Sequence, residues 1–166
     1  YYSHPGKRLS EHLEEVGRGA CARLDNPALR DRRLLRQAAF LIGLSHDLGK
    51  YTTYFQNYLS AKRRFEGGLE RHGFLGAVLC AWSLQQELDE LPDSPCREFL
   101  PLIGYLTVHR HHGHLVAPQT ILPRSHHLRS WPAVDVSGEH RRAFHALRRQ
   151  LQDLQEYRED WEQEWR

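Results

Sequence analysis

The residues of this chain best suited to chemistry are its histidines. The sequence contains 12 of them, and histidine is both a common metal ligand and the side chain that titrates nearest neutral pH. One of them, His46, precedes Asp47 at the end of an apolar run that includes Ile42. Residues four apart share a helix face, so this imidazole should point inward, where a polar pair is costly to bury unless it is paired or bound to metal. Alone, the pair also fits a hydrogen-bonded core histidine beside a capping aspartate.

Other histidines lie on apolar helix faces or in one dense tract. His12 falls on the apolar stripe of the first predicted helix, and His72 precedes an apolar run. The tract HRHHGH, from His109 to His114, closes another helix, and its glycine allows the backbone to turn. Each of these histidines alone is more often a core or surface residue than a ligand. Together they supply one histidine from each of several helices, which is how helical bundles build metal sites.

Five further histidines have neighbours typical of solvated surface: His4, His126, His127, His140 and His145.

The elements that must position these residues are predicted to be helices, because the apolar period is helical and strand signals are nearly absent. We predict helices over residues 10–23, 28–48, 51–59, 70–88 and 97–110, then a long loop over 113–138 and a charged helix over 139–166. Ser10 is expected to cap the first helix, and the run AAFLIGL at 38–44 indicates that the second is central and buried. An aperiodic stretch as long as 113–138 is usually functional or mobile. The prediction is one all-α domain over residues 1–166.

Composition excludes several classes of protein. With 166 residues, 40% hydrophobic and 27% charged, the chain resembles a soluble globular domain and not a collagen, a mucin or a disordered chain. No apolar run reaches the roughly 18 residues of a membrane span, and no signal-peptide core is present, so we expect a cytoplasmic protein without a membrane partner. Cys21, Cys80 and Cys96 are too scattered for a zinc site and are predicted to be buried thiols. A formal charge of +2 gives no argument for nucleic acid by itself.

The order of the candidate ligands resembles that of the HD superfamily of metal-dependent phosphohydrolases. That order is H…HD…H…HH, carried by His12, His46-Asp47, His72 and His111-His112. Finer motifs are similar to the HD nuclease of type I CRISPR interference, which accompanies or is fused to a superfamily 2 helicase. They are YSH at 2–4, SEHL at 10–13, SHDLGKY at 45–51, FQ at 55–56, RHG at 71–73, GA at 76–77 and HHG at 111–113. The HD pair alone is a weak signal, whereas HDLGK followed by FQ and a separate HHG is specific. The resemblance covers about residues 1–115.

The resemblance implies an HD-domain helical bundle with a two-metal centre in its core. The implied ligands are His12 and His46 for one ion, His72, His111 and His112 for the other, and Asp47 as the bridge.

The resemblance also implies roles for residues around the ions. Lys50, three residues after Asp47, would lie beside the ions and position phosphate or water. His109 and His114 would lie outside the ligand set. Imidazole-rich ligation suits transition metals, so iron or manganese is expected, with nickel, cobalt or magnesium as alternatives.

The family also has a later aspartate that ligates the first metal, and this sequence lacks it in a matching context. Asp135 stands in WPAVDVSG, while Asp153 and Asp160 lie in the charged C-terminal helix. We therefore expect a fragment that lacks this aspartate, with an incomplete first metal site and a complete second one.

The activity implied by the resemblance is hydrolysis of DNA, preferentially single-stranded, in antiviral defence. The helicase and the RNA-guided CRISPR surveillance complex would be its partners and would supply unwound DNA. Contacts to the DNA backbone need positive charge. The candidates are Lys62, Arg63, Arg64, Arg110, Arg124 and Arg129.

Two alternatives stay open. The first is an HD phosphohydrolase that acts on nucleotides or cyclic nucleotides, which needs a closed pocket for the base where a nuclease needs an open groove. The second is a metal-bound assembly module whose catalysis has decayed, which the absent aspartate favours.

Overall fold

The fold is all-α, as the hydrophobic period predicts. The computed structural model describes residues 1–88, 94–113 and 138–165. Its helices are α1 (Leu9–Arg23), α2 (Arg32–Ser45), α3 (Thr53–Ala61), α4 (Gly73–Leu88), α5 (Leu100–His109), α6 (Gly138–Glu156) and α7 (Arg158–Glu162). Short 3-10 turns occupy Leu48–Tyr51, Glu66–Gly68, Arg97–Phe99 and Gln163–Trp165. The loop predicted over 113–138 lies almost entirely outside the described residues.

A small antiparallel hairpin precedes α1, and the sequence analysis did not anticipate it. Strand β1 (Tyr2–His4) pairs with β2 (Lys7–Arg8), and Gly6 closes the turn with φ 82°, a left-handed conformation that suits glycine. Helix α1 follows directly. Its capping position is Arg8, which makes no side-chain capping bond, so the prediction of Ser10 as the cap was wrong.

The second helix is shorter than the predicted span of residues 28–48. It begins at Arg32 because Asp31 adopts a left-handed conformation with φ 57°, and it ends at Ser45. The chain then leaves helical geometry at Asp47, with φ −115°, and enters the 3-10 turn Leu48–Tyr51. His46 and Asp47 therefore lie between the end of α2 and the start of the 3-10 turn.

The main core lies between α2, α4 and α5. Its buried side chains are Leu34, Ala38, Ala77, Cys80, Leu84, Leu100 and Val108. Within the run AAFLIGL, Ala38 and Gly43 are buried and the others are partly exposed, so α2 is central without being apolar all round. Helices α1 and α2 cross closely at two glycines. A Cβ on Gly43 would lie only 2.6 Å from the Cα of Gly17.

The C-terminal segment packs against the rest of the domain and breaks at Tyr157 into α6 and α7. Gln150 is buried and donates from Nε2 to the carbonyl oxygens of Leu69 and Arg71, at 2.7 and 2.8 Å. Trp161 packs against a second core cluster built on Leu9, Leu13 and Tyr51. The predicted surface helix is therefore a docked element with two buried polar anchors, Gln150 and Asp153.

The cysteines only partly match the prediction of buried thiols. All are free, but only Cys80 is buried, while Cys21 is partly exposed and Cys96 is exposed. Cys96 immediately precedes the 3-10 turn that leads into α5.

In the described ranges, no helix combines the length and apolar character needed to cross a membrane.

Candidate metal centre

The predicted ligands converge because the ends of several helices meet at one place. Asp47 follows α2 and is 2% exposed, and His12 reaches it from the first half of α1. His72 directly precedes α4, and His111 and His112 follow α5 after its capping residue, Arg110. The structure thus brings together all six residues that the family resemblance selects.

One carboxylate oxygen of Asp47 faces the first pair of histidines. Its Oδ2 lies 3.3 Å from Nε2 of His12 and 3.2 Å from Nε2 of His46. The two imidazole nitrogens are themselves 3.2 Å apart. These three residues form the first ligand group.

The other carboxylate oxygen of Asp47 faces the remaining histidines. Its Oδ1 lies 3.0 Å from Nε2 of His72, 3.2 Å from Nε2 of His111 and 3.9 Å from Nε2 of His112. Nε2 of His72 and Nε2 of His112 are 2.9 Å apart. The side chain of His112 is 63% exposed, so this second ligand group is open to solvent on one side.

Backbone hydrogen bonds orient two of the rings toward Asp47. Nδ1 of His46 donates to the carbonyl oxygen of Gly43 at 2.7 Å, and Nδ1 of His111 donates to that of Val108 at 2.6 Å. In the neutral rings Nε2 then carries a lone pair, yet each Nε2 lies 3.2 Å from an Asp47 oxygen. Two acceptors at this distance require a positive charge between them, from a ring proton or a bound metal ion. The donor set of imidazole nitrogens with a shared carboxylate fits transition-metal ions.

Lys50 lies against the same carboxylate. Its buried Nζ donates to Oδ2 of Asp47 at 2.8 Å and to the carbonyl oxygen of Ser3 at 3.3 Å. The 3-10 turn produces this contact, because residues three apart are eclipsed in that geometry. Gln56 braces the turn by donating from Nε2 to the carbonyl oxygens of Lys50 and Tyr2, at 2.8 and 3.0 Å.

The ionisation of the centre follows from its burial and its hydrogen bonds. Burial raises the pKa of Asp47, but hydrogen bonds from His111, His46, His72 and Lys50 outweigh it and hold the pKa of this carboxyl well below its ordinary value.

Three of the imidazoles are more acidic than usual. Burial, followed by the neighbouring His46, lowers the pKa of His12, and burial also lowers the pKa of His72. Partial desolvation and then the neighbouring His111 and His72 lower the pKa of His112 to about 4. These rings are therefore neutral near pH 7, the form that ligates metal.

A glycine permits the close approach of the turn to His72. A Cβ on Gly49 would lie 2.5 Å from the carbonyl oxygen of His72 and 2.8 Å from its Cβ. The φ angle of Gly49 is not in the left-handed region. Glycine is therefore required here because a side chain would collide with His72.

Histidines outside the ligand set lie apart from it or at its edge. His109 stacks on Tyr105, with ring centroids 5.5 Å apart, and belongs to neither ligand group. His4 is exposed, but its ring packs edge-on against His12 at 5.4 Å, a contact that the sequence analysis did not predict. His114 lies outside the described residues.

The predicted DNA-contacting residues occupy different surroundings. Lys62, Arg63 and Arg64 are exposed just beyond α3. Arg110 is partly exposed, at the end of α5 next to His111. Arg124 and Arg129 fall outside the described residues.

No aspartate in the described ranges completes the first ligand group. Asp153 is buried and accepts hydrogen bonds from the backbone N and Oγ1 of Thr53, so it holds the first residue of α3, next to the capping residue Thr52. Asp160 is exposed on α7, and Asp135 lies outside the described residues. The first group therefore offers three ligands here, His12, His46 and Asp47, whereas the second offers four.

No family model, no curated protein and no solved structure matches this chain. Within the described residues, the arrangement itself is a buried His/Asp cluster that could hold a metal ion.

Proposed function

We propose that this protein is a metal-dependent phosphodiesterase of the HD type that hydrolyses DNA, preferentially single-stranded. The observation that supports this most strongly is the arrangement around Asp47. One carboxylate oxygen faces His46 Nε2 and the other faces His111 Nε2, each at 3.2 Å, and hydrogen bonds from Nδ1 of each ring to a backbone carbonyl hold both Nε2 atoms toward the carboxylate. A carboxylate shared in this way between two imidazole groups is a ligand set for two neighbouring metal ions.

Each residue of the centre then has a physical task. Asp47 supplies negative charge to both groups, and the Nδ1 hydrogen bonds of His46 and His111 hold their rings in the ligating tautomer. Lys50 lies beside Asp47, where its side chain can contact a phosphate oxygen. Two bound divalent ions would supply activated water and stabilise the charge that develops on the phosphodiester oxygens.

The expected metals are iron or manganese, because nitrogen-rich sites favour transition metals over calcium and magnesium. Nickel, cobalt or magnesium could also support activity. The second group, with four ligands, should bind its ion more tightly than the first, with three. The proposal includes a role in CRISPR interference, with a superfamily 2 helicase and the RNA-guided surveillance complex as partners, and it rests for these on the sequence motifs alone.

Cleavage of DNA by metal-loaded protein tests the proposed activity. Protein stripped with EDTA and reloaded with manganese should cut circular single-stranded DNA, or degrade end-labelled linear strands, faster than duplex of the same sequence. EDTA should abolish the reaction. A panel of nucleotides and cyclic nucleotides should be assayed in parallel. Hydrolysis of these compounds but not of DNA would favour the small-molecule phosphohydrolase.

A matched pair of histidine variants controls this assay. His111→Ala should lose activity by orders of magnitude, whereas His109→Ala, which changes a neighbouring histidine outside both ligand groups, should lose far less. Equal loss in the two variants would contradict the assigned ligand set. Protein that binds transition metal but cleaves nothing would favour the metal-bound assembly module.

A further inference from the structure

A group of cationic and aromatic side chains lies beside the candidate metal centre. The guanidinium of Arg63 lies 4.9 Å from the ring centroid of Phe65, and that ring packs edge-on against Tyr54 at 5.1 Å. The guanidinium of Arg149 lies over the other ring, 5.8 Å from the Tyr54 centroid. These four residues, contributed by α3, the following loop and α6, are called the cation–aromatic surface.

The charge of this surface is accessible. Arg63 and Arg149 are exposed, and neither forms an ion pair with another described residue. The nearby carboxylates of Glu70 and Asp153 accept hydrogen bonds from backbone amides and are thereby occupied. Glu66 is an exposed acid in the same loop.

Further positive charge borders the same loop. Lys62 lies over the ring of Tyr58, 5.7 Å from its centroid, and Arg64 and Arg71 are exposed. Basic residues therefore outnumber free acids across this part of the domain.

Two structural links fix the cation–aromatic surface next to the metal centre. Tyr54 precedes Phe55, whose ring packs edge-on against His72 with centroids 5.0 Å apart. Arg149 precedes Gln150, whose amide donates to the carbonyl oxygens of Leu69 and Arg71, immediately before His72. The surface and the ligand His72 thus belong to one packed unit.

We propose that the cation–aromatic surface binds single-stranded DNA and leads the strand to the metal centre, an inference that rests on the proposed nuclease function. An exposed guanidinium can donate two parallel hydrogen bonds to a phosphate, and the rings hold both guanidinium groups in position. Aromatic rings and guanidinium planes also stack on unpaired bases, which duplex DNA does not present. An acidic protein segment would match the charge but would leave the rings without a role.

Binding of a fluorescent oligothymidylate of 15 nucleotides, measured by anisotropy in EDTA, tests this inference without cleavage. The double variant Arg63→Ala/Arg149→Ala should weaken binding at least about tenfold at low salt. Its plot of log Kd against log salt concentration should be shallower by about 1.4, since each phosphate contact on a single strand contributes about 0.7. Arg33→Ala is the matched control. Arg33 is exposed, forms no ion pair with another described residue, and lies in the first turn of α2, roughly 20 Å along the axis from His46.

Tyr54→Leu separates the role of the rings from that of the charges. It should lower the affinity for the oligonucleotide while leaving the salt dependence unchanged. A polyglutamate peptide and a duplex of the same length, added as competitors, should displace the oligonucleotide poorly.

Several outcomes would overturn the inference: no binding by the wild type at low salt, equal affinity in the double variant and Arg33→Ala, or efficient displacement by polyglutamate. If the metal-loaded protein cleaves DNA but the double variant binds normally, this surface assignment fails and the nuclease proposal stands. If binding depends on the surface but no phosphodiester is ever hydrolysed, the proposed function fails and the binding surface stands.

Discussion

Asp47 is the residue on which the centre depends, because five histidines and one lysine direct nitrogen atoms toward a single buried carboxylate. Desolvation of a lone carboxylate would be prohibitive, so its ionised form persists only because these groups compensate it. The reverse also holds. Lys50 is buried and has Asp47 as its only ion-pair partner among the described residues.

The first prediction concerns this mutual dependence of Asp47 and Lys50. Asp47→Ala leaves a buried ammonium without its carboxylate, so the free energy of unfolding of metal-free protein should fall by about 3–5 kcal/mol. Adding Lys50→Met removes the unpaired charge and should restore at least half of that loss. Urea denaturation in EDTA measures both values. If the double variant were no more stable than Asp47→Ala, the unpaired ammonium of Lys50 would not be the cause of the lost stability.

The second prediction concerns pH. Because burial lowers the pKa values of His12, His72 and His112 in the folded protein, the unfolded chain binds more protons below the ordinary imidazole pKa of about 6.5. The stability contributed by these neutral rings is complete above that pH and is lost as the pH falls toward their folded values. Metal-free protein should therefore become steadily less stable from about pH 7.5 to pH 5, and bound metal should be released over the same range. Stability that is constant or rises on acidification would contradict these shifts.

At the scale of elements, the 3-10 turn Leu48–Tyr51 fits against His72 only because Gly49 has no side chain. The third prediction is that Gly49→Ala displaces the start of α4, destabilises the protein by about 1–3 kcal/mol and weakens metal binding at the second ligand group. Gly19→Ala is the matched control. It lies within α1, and its Cβ would meet only the end of the Arg23 side chain at 3.5 Å, so it should be neutral or slightly stabilising. Similar effects from both alanines would show that His72 tolerates the added methyl.

The sequence patterns predict which helices form and which polar residues converge, but not the residues at which each helix begins and ends. Periodicity locates α1 to α5, and the motif order selects six residues that the structure brings together, because each is a polar residue at a helix end or on an apolar face. The limits of α2 depend on single backbone conformations, at Asp31 and Asp47, which periodicity does not encode. The hairpin over residues 2–8 is short, and its signal is only the turn pair Pro5-Gly6.

In the whole molecule, α6 packs against the segments that carry the site through two buried polar residues. Their sequence context predicts that both are exposed to solvent. Gln150 and Asp153 stand in a strongly charged segment, and only tertiary contacts with residues 53 and 69–71 bury them. Such long-range partners cannot be read from local spacing. The same contacts hold α3 and the segment before His72 in place.

The fourth prediction tests this fastening. Asp153→Ala removes the acceptor for the backbone N and Oγ1 of Thr53, so the free energy of unfolding should fall by about 1–3 kcal/mol. Asp160→Ala, an exposed aspartate on α7, should change it by less than about 0.5 kcal/mol. Thermal or urea unfolding distinguishes the two. If Asp160→Ala were as destabilising as Asp153→Ala, the change in net charge and not the loss of the hydrogen bonds to Thr53 would be responsible.

The number of manganese ions bound per chain, measured by elemental analysis after equilibrium dialysis, tests most sharply whether Asp47 joins two metal sites. We predict two classes of site in the wild type, with the second group filled first. His46→Ala should lose the weaker ion and keep most of the tighter one. Asp47→Ala/Lys50→Met, which lacks the shared carboxylate without leaving an unpaired ammonium, should lose both. Wild-type metal content in that double variant would contradict the claim that Asp47 joins two metal sites.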